Sequence, residues 1–250
     1  MDYESDFEDE FAETSLGDMH FKHHKGNGDK IIFIHGLGGS TLVWKRLMEY
    51  MPENLDIYLI DMLGHGQSAA PDIDYTVSAQ FQFLREFIAL QNNGDSFIFG
   101  HSYGGWVTAY YASQPCGLKG IMLEDTAGIK EQFDDLASSN KIKEDRERLM
   151  AEVMKLNGNK EEVMRSIIFS DHSSEDIEES MIADIKKPAR IIWGRDDAIV
   201  PLNYGILLSK KMNADINIIE GAGHEPHYEQ PETVKNAIMD FISKAVSQTQ

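Results

Sequence analysis

The sequence predicts an α/β fold, with an eight-stranded, mostly parallel sheet flanked by helices and one inserted helical segment. Three observations predict it. Short runs of β-branched, aromatic and leucine residues alternate with helix-length stretches from about residue 30 onward, the pattern of a parallel sheet covered on both faces. That alternation breaks once, between residues 126 and 187, where only helical periodicity occurs. A chain of 250 residues, 42% hydrophobic and 26% charged, is long enough for one sizeable core with an insertion but too short for two full domains and a linker.

The elements follow in order. Phe11 to Ser15 and Met19 to His24 flank Leu16-Gly17-Asp18, and Gly26-Asn27-Gly28-Asp29 supplies a second turn, so two antiparallel strands are expected at the sheet edge. Lys30–Ile34, Ile57–Ile60, Ser96–Phe99, Gly120–Leu123, Arg190–Trp193 and Asp215–Ile219 read as six buried parallel strands. In the insertion, apolar residues recur at helical spacing around Leu149, Val153, Met154 and Leu156, then Val163, Ile167 and Ile168, then Ile177, Met181, Ile182 and Ile185. One helix suffices between parallel strands, and about three are present, so 126–187 is read as a helical cap. Ser173 with Asp176 forms a capping box for the last of these helices, and Lys186-Lys187-Pro188 marks the return to the sheet. The expected organisation is an acidic, disordered terminus over 1–10, a core over 11–125 and 188–246, and the cap between them.

Composition narrows the partners. The formal net charge is −19, and the first thirteen residues hold seven acids and no base. Such a surface repels phosphate backbones and anionic lipid, which argues against nucleic acid and membranes. Cys116 is the single cysteine and excludes an intrachain disulfide. With neither a basic start nor a long apolar run, the expectation is a soluble cytoplasmic protein, monomeric or homodimeric. His20, His23 and His24 lie on one strand, where alternation prevents all three from facing one ion, and they are read as exposed.

The most informative motif is Gly100-His101-Ser102-Tyr103-Gly104, set between the run Ser96–Phe99 and a helix-compatible stretch from Trp106 to Ala112. A strand turning sharply into a helix leaves the central serine at the tip of a strained turn, with Gly100 and Gly104 where a Cβ would clash. A serine hydroxyl is a poor nucleophile, so it needs a base, a carboxylate to orient that base, and donors for an oxyanion. His224 stands in the small-residue loop Glu220-Gly221-Ala222-Gly223-His224 after the last strand, and His227, the competing histidine, is read as a pocket or surface group. Asp196 and Asp197 follow the penultimate strand, and Asp125 ends an earlier one. His35-Gly36-Leu37-Gly38-Gly39 follows the first parallel strand and offers the Leu37 amide, while Tyr103 offers a second at the helix start. The loop lacks both a Gly-Lys-Ser/Thr ending and a Gly-x-Gly-x-x-Gly pattern, which sets phosphate binding aside.

With His35-Gly36, Asp61-Met62-Leu63-Gly64-His65-Gly66-Gln67-Ser68, the elbow at Ser102, Asp197 and His224 in that order, the chain resembles the α/β-hydrolase superfamily over nearly its whole length. The resemblance implies an α/β-hydrolase fold and a serine carboxylesterase with Ser102 as nucleophile, His224 as base and Asp197 as acid, since the family's acid usually stands three residues after the strand-end glycine. Asp196 is then a turn or salt-bridging residue beside Arg195, His65 and Ser68 are structural, and His35, Gly36, Gly100 and Gly104 support the site. Neither metal nor cofactor is implied, and the partner is a small-molecule ester of small to medium acyl groups. Trp193-Gly194-Arg195-Asp196-Asp197 is similar to carbon–carbon bond hydrolases of ring-cleavage products, but Glu225 follows the histidine where they commonly carry tryptophan. Perhydrolase and thioesterase chemistry uses the same residues, and some members of the fold are ligand receptors or signalling proteins. Met150, Met154, Met164 and Met181 of the cap either floor an acyl pocket or pack on the core.

Overall fold

The computed structural model describes residues 1–138, 160–169 and 173–247, together with 147, 150, 151 and 154. Eight strands form one sheet: β1 (Glu8–Thr14), β2 (Gly17–His24), β3 (Lys30–Ile34), β4 (Asp56–Ile60), β5 (Phe97–His101), β6 (Gly120–Glu124), β7 (Ala189–Gly194) and β8 (Asp215–Ile219). Their order is β1-β2-β4-β3-β5-β6-β7-β8, antiparallel for the first two pairings and parallel thereafter. The six parallel strands and the antiparallel pair at one end of the sheet are those read from the sequence.

Alternation along the buried strands divides the core into two layers. Ile32, Ile34, Ile98, Leu123 and Ile191 face one side, where they meet Phe83, Leu84 and Phe87 of α2 (Val77–Leu90) and Val107 and Tyr111 of α3 (Tyr103–Ser113). Ile31, Phe33, Phe97, Phe99 and Met122 face the other, against Leu47 and Met48 of α1 (Lys45–Met48) and Ile238, Phe241 and Ile242 near the C-terminus. Both faces are apolar and buried, which is why these strands read as continuous hydrophobic runs.

The insertion returns to the first layer. Its described parts are α4 (Lys130–Ser138), α5 (Glu161–Phe169), a short 3₁₀ turn over Ser173–Glu175 and α6 (Glu179–Asp184). Leu149, Val153 and Leu156, placed on a cap helix by periodicity, lie outside the described residues. Met150 and Met164 are buried in the same cluster as Trp106, and Met154 and Met181 pack against it. The Glu175 carboxylate accepts the Val77 and Ser78 amides at 2.9 and 2.8 Å, while the Trp106 indole donates to the Glu175 carbonyl at 2.6 Å. One cap residue thereby caps the N-terminus of α2 and holds α3. The expected capping box at Ser173 is not what starts the last helix, because α6 begins only at Glu179, after a bridge between Ile129 and Ile177.

The N-terminus differs from expectation. Within residues 1–10, Tyr3 and Phe7 are buried in one cluster with Trp44 and Leu47, and β1 starts at Glu8. The Asp2 carboxylate accepts the amides of Glu4 and Ser5, closing a turn that presents the two aromatic rings inward. Acidic composition masked an apolar pair four residues apart. His20, His23 and His24 are likewise not exposed, since β2 lies between β1 and β4 rather than at the edge. His20 is fully buried between Asp9 and Asp61, His23 bridges Glu10 and Asp56, and the half-buried His24 bonds the Asp6 and Glu53 carbonyls.

The remaining helices are α7 (Leu202–Met212), α8 (Pro226–Glu229) and α9 (Pro231–Ser247). Among the described residues no helix is long and apolar enough to cross a membrane.

Candidate active site

The parallel strands β5, β6, β7 and β8 all end at one edge of the sheet, and the loops beyond them carry the polar residues. Ser102 sits between β5 and α3 at φ 51° and ψ −115°, a conformation that strains a residue with a Cβ and aims its side chain out of the turn. The turn is tight enough to demand glycine. A Cβ on Gly104 would lie 2.4 Å from the Ile34 carbonyl oxygen, and one on Gly100 would lie 2.5 Å from the Gly104 carbonyl oxygen.

The Ser102 hydroxyl donates to His224 Nε2 at 3.0 Å, and His224 Nδ1 donates to Asp197 Oδ2 at 2.8 Å. The structure therefore brings together three residues separated by as many as 122 positions in the chain. Asp197 is buried, and its other oxygen accepts the Ile199 and Val200 amides at 2.8 and 3.0 Å. Burial pushes the Asp197 carboxyl up, but the His224 imidazole, the Asp125 carboxyl and the Val200 amide outweigh that and hold it below the usual carboxylate range. Asp196 is exposed and makes no such contact; Arg195 pairs with Glu220 instead.

The loop bearing His224 is held from several sides. Gly194, at the end of β7, passes so close that a Cβ there would lie 1.8 Å from the Gly223 carbonyl oxygen. The Glu229 carboxylate accepts the amides of Gly223 and Glu225, on either side of the histidine. His101 Nε2 donates to the His224 carbonyl at 2.7 Å, which fixes the tautomer of His101. Burial, followed by the charges of His227 and His224, holds the His101 imidazole well below its ordinary value, so it stays neutral. His227 is not at the surface: it is buried and bonded to the buried Glu124 carboxylate at 2.6 Å. Sequence reasoning missed this pair, and also Glu229.

The His35–Gly39 loop crosses the opposite side. A Cβ on Gly36 would lie 3.2 Å from Ser102 Cβ and 2.9 Å from His101 Nδ1, so the backbone of this loop runs directly beside the serine. Gly39 closes a turn on the Gly36 carbonyl at 3.1 Å, with Gly38 at φ 77°. His35 is buried, donates from Nδ1 to the Gly36 carbonyl and accepts the Met62 amide at Nε2. The amides of Leu37 and Tyr103 donate to no group among the described residues. His65 and Ser68 are buried in the turn after β4 and bonded to the backbone carbonyls of Leu63 and Asp61.

With this geometry in view, the comparisons with known proteins agree on one family. The alpha/beta hydrolase family matches residues 31–237. The chain is 24% identical to the monoacylglycerol lipase ABHD6 of Rattus norvegicus, over 89% of this chain and 78% of that protein. Its fold superposes on a membrane phospholipase A with a TM-score of 0.78, at 19% identity, covering 96% of this chain and 87% of that one. The enol-lactonase of Burkholderia xenovorans superposes with a TM-score of 0.76 at 17% identity, covering 94% and 100% of the two chains. The sheet order, the glycine-bracketed turn and the family match together make the chain a member of the alpha/beta hydrolase family.

Proposed function

We propose that this hydrolase cleaves carboxylic esters of small to medium acyl groups through an acyl-Ser102 intermediate. The observation that carries the reading is the continuous hydrogen-bonded chain from the Ser102 hydroxyl through His224 to the buried Asp197 carboxylate. His224 takes the serine proton as Ser102 Oγ bonds to the acyl carbon, and returns it to the departing alkoxide, which leaves as the alcohol. Water then attacks the acyl carbon, again deprotonated by His224, and the acid is released with Ser102 restored. The carbonyl oxygen becomes an oxyanion in both steps, and the Leu37 and Tyr103 amides are its donors. Asp197 keeps His224 in the tautomer that presents Nε2 to the serine and balances the imidazolium.

Lipase and lactonase relatives support an ester or lactone as substrate class. The segment that is similar to carbon–carbon hydrolases has a packing role in this chain, because the Trp193 indole is buried and donates to the Val200 carbonyl, bracing the turn that carries Asp197. A series of p-nitrophenyl esters of increasing acyl length, run beside a monoacylglycerol and a ring-cleavage dienone, tests the substrate class. Preference for the dienone overturns it. Ser102→Ala is expected to lower ester turnover by roughly 10³-fold or more while leaving the circular dichroism spectrum unchanged. Turnover retained by that variant excludes the mechanism.

A further inference from the structure

Behind Asp197 lies a second carboxyl that the mechanism does not use. Asp125, the residue after β6, is fully buried and held at φ 43°, a left-handed conformation that a non-glycine residue adopts only when its surroundings impose it. Its amide donates to the Ile192 carbonyl at 3.1 Å, and its carboxyl accepts the Gly194 amide at 3.0 Å from one oxygen and 3.3 Å from the other. Both contacts come from β7, the strand that leads into Asp197. A carboxyl oxygen of Asp125, one of Asp197 and a ring nitrogen of His224 all lie within 4.8 Å of one another.

Two carboxylates this close and this buried cannot both be ionised, because neither is screened by water. The proton goes to the one with the weaker set of donors. Asp197 has the His224 imidazole and two backbone amides, whereas Asp125 has a single amide shared between its oxygens. We propose that Asp125 is a positioning residue: a neutral carboxylic acid that donates a hydrogen bond to the Asp197 carboxylate and fixes the oxygen on which His224 is oriented. The titratable groups facing it are Asp197 and Glu124, which both favour its neutral form, and the His224 imidazole, already engaged by Asp197. This role rests on the proposed part of Asp197 in ester hydrolysis.

Asparagine reproduces the shape and the donor of a protonated aspartate, and alanine reproduces neither. Asp125→Asn is expected to restore kcat to within about twofold of the natural enzyme, while Asp125→Ala lowers kcat about tenfold at an unchanged KM, the effect of one lost buried hydrogen bond. The acid limb of kcat/KM stays in place in Asp125→Asn. A displacement of that limb to lower pH by about half a unit or more would mean that a negative charge had been removed, and Asp125 would then be ionised. Equal kcat in the two variants overturns the positioning role, and so does loss of activity to a chelator with recovery on adding zinc, since a cation would then bridge the carboxyls. Infrared spectroscopy keeps the test open if either variant misfolds. The natural protein near neutral pH should show the carbonyl stretch of a protonated carboxyl, absent from Asp125→Asn where that variant folds; a spectrum of the natural protein without such a band refutes the proposal. That measurement needs no turnover, so failure of the ester assignment leaves it standing.

Discussion

Replacing Asp61 by asparagine tests how the polar floor of the molecule is held. Asp61 follows β4 and is buried; one carboxylate oxygen accepts the Thr41 amide at 2.7 Å, and the other accepts His20 Nδ1 at 2.7 Å and the Gln67 amide at 2.8 Å. In Asp61→Asn a single side-chain oxygen is left for these three donors. Whichever way the new carboxamide turns, its NH₂ faces an N–H, and the best orientation gives up the Thr41 bond and leaves that backbone amide unpaired. His20 also loses one of its two anionic partners. Breaking a buried charged pair from one side costs about 3–5 kcal/mol, a large share of a typical folding free energy. The pH dependence carries a second signature. Burial alone depresses the His20 imidazole, but Asp61 and Asp9 outweigh it and raise it above its ordinary 6.5, whereas Asp61 is held below 3.8 despite burial, by His20 and the Gln67 and Thr41 amides. The stability from His20 is therefore complete below about pH 6.5 and lost as pH rises through its raised value. That from Asp61 is present above about pH 4 and lost as pH falls through its lowered value. Urea unfolding of both proteins from pH 4 to 9 should show the widest gap between about pH 4 and 6.5, narrowing on the alkaline side. A gap under about 1 kcal/mol, or one independent of pH, refutes the reasoning.

Other perturbations bear on the site. Gly104→Ala forces a Cβ to within 2.4 and 2.5 Å of the Ile34 and His35 carbonyl oxygens, so the elbow must open. Unfolding free energy should fall by about 2 kcal/mol or more, together with loss of labelling by a serine-directed organophosphorus probe. His101→Ala removes the donor to the His224 carbonyl and is expected to lower kcat about tenfold with little change in KM, measured on the preferred p-nitrophenyl ester. Glu175→Ala uncaps α2 and frees one tie between cap and core. A loss of about 1–2 kcal/mol is expected, with faster hydrogen exchange at the Val77 and Ser78 amides, and unchanged exchange there contradicts the capping role.

Residues whose role is set by their neighbours in the chain were legible. Ile31–Ile34 and Phe97–Phe99 are buried on both faces and read as continuous apolar runs, while Gly100 and Gly104 bracket Ser102 at a spacing set by the turn itself. His224 and Asp197 stood out as candidates because each follows a strand end, and their hydrogen bond at 2.8 Å was not legible at all. The burial of Tyr3 and Phe7 was not, since it depends on Trp44 and Leu47, some forty residues away, and local acidity pointed to solvent. His227 was misread for the same reason: its partner Glu124 is 103 residues distant.

The sequence by itself determined the alternating strands and helices, the glycine-bracketed serine and the places of His224 and Asp197 just beyond strand ends, because each depends on local backbone sterics or on residue type. Only the tertiary structure decided how those groups meet. The approach of β7 to β6 brings Asp125 near Asp197, Gly194 passes close to the Gly223 carbonyl, and His224 stands 3.0 Å from Ser102. Contacts of this kind follow from the packing of strands far apart in sequence, and no local pattern of residue types encodes the distance between two carboxyls or the path of a loop.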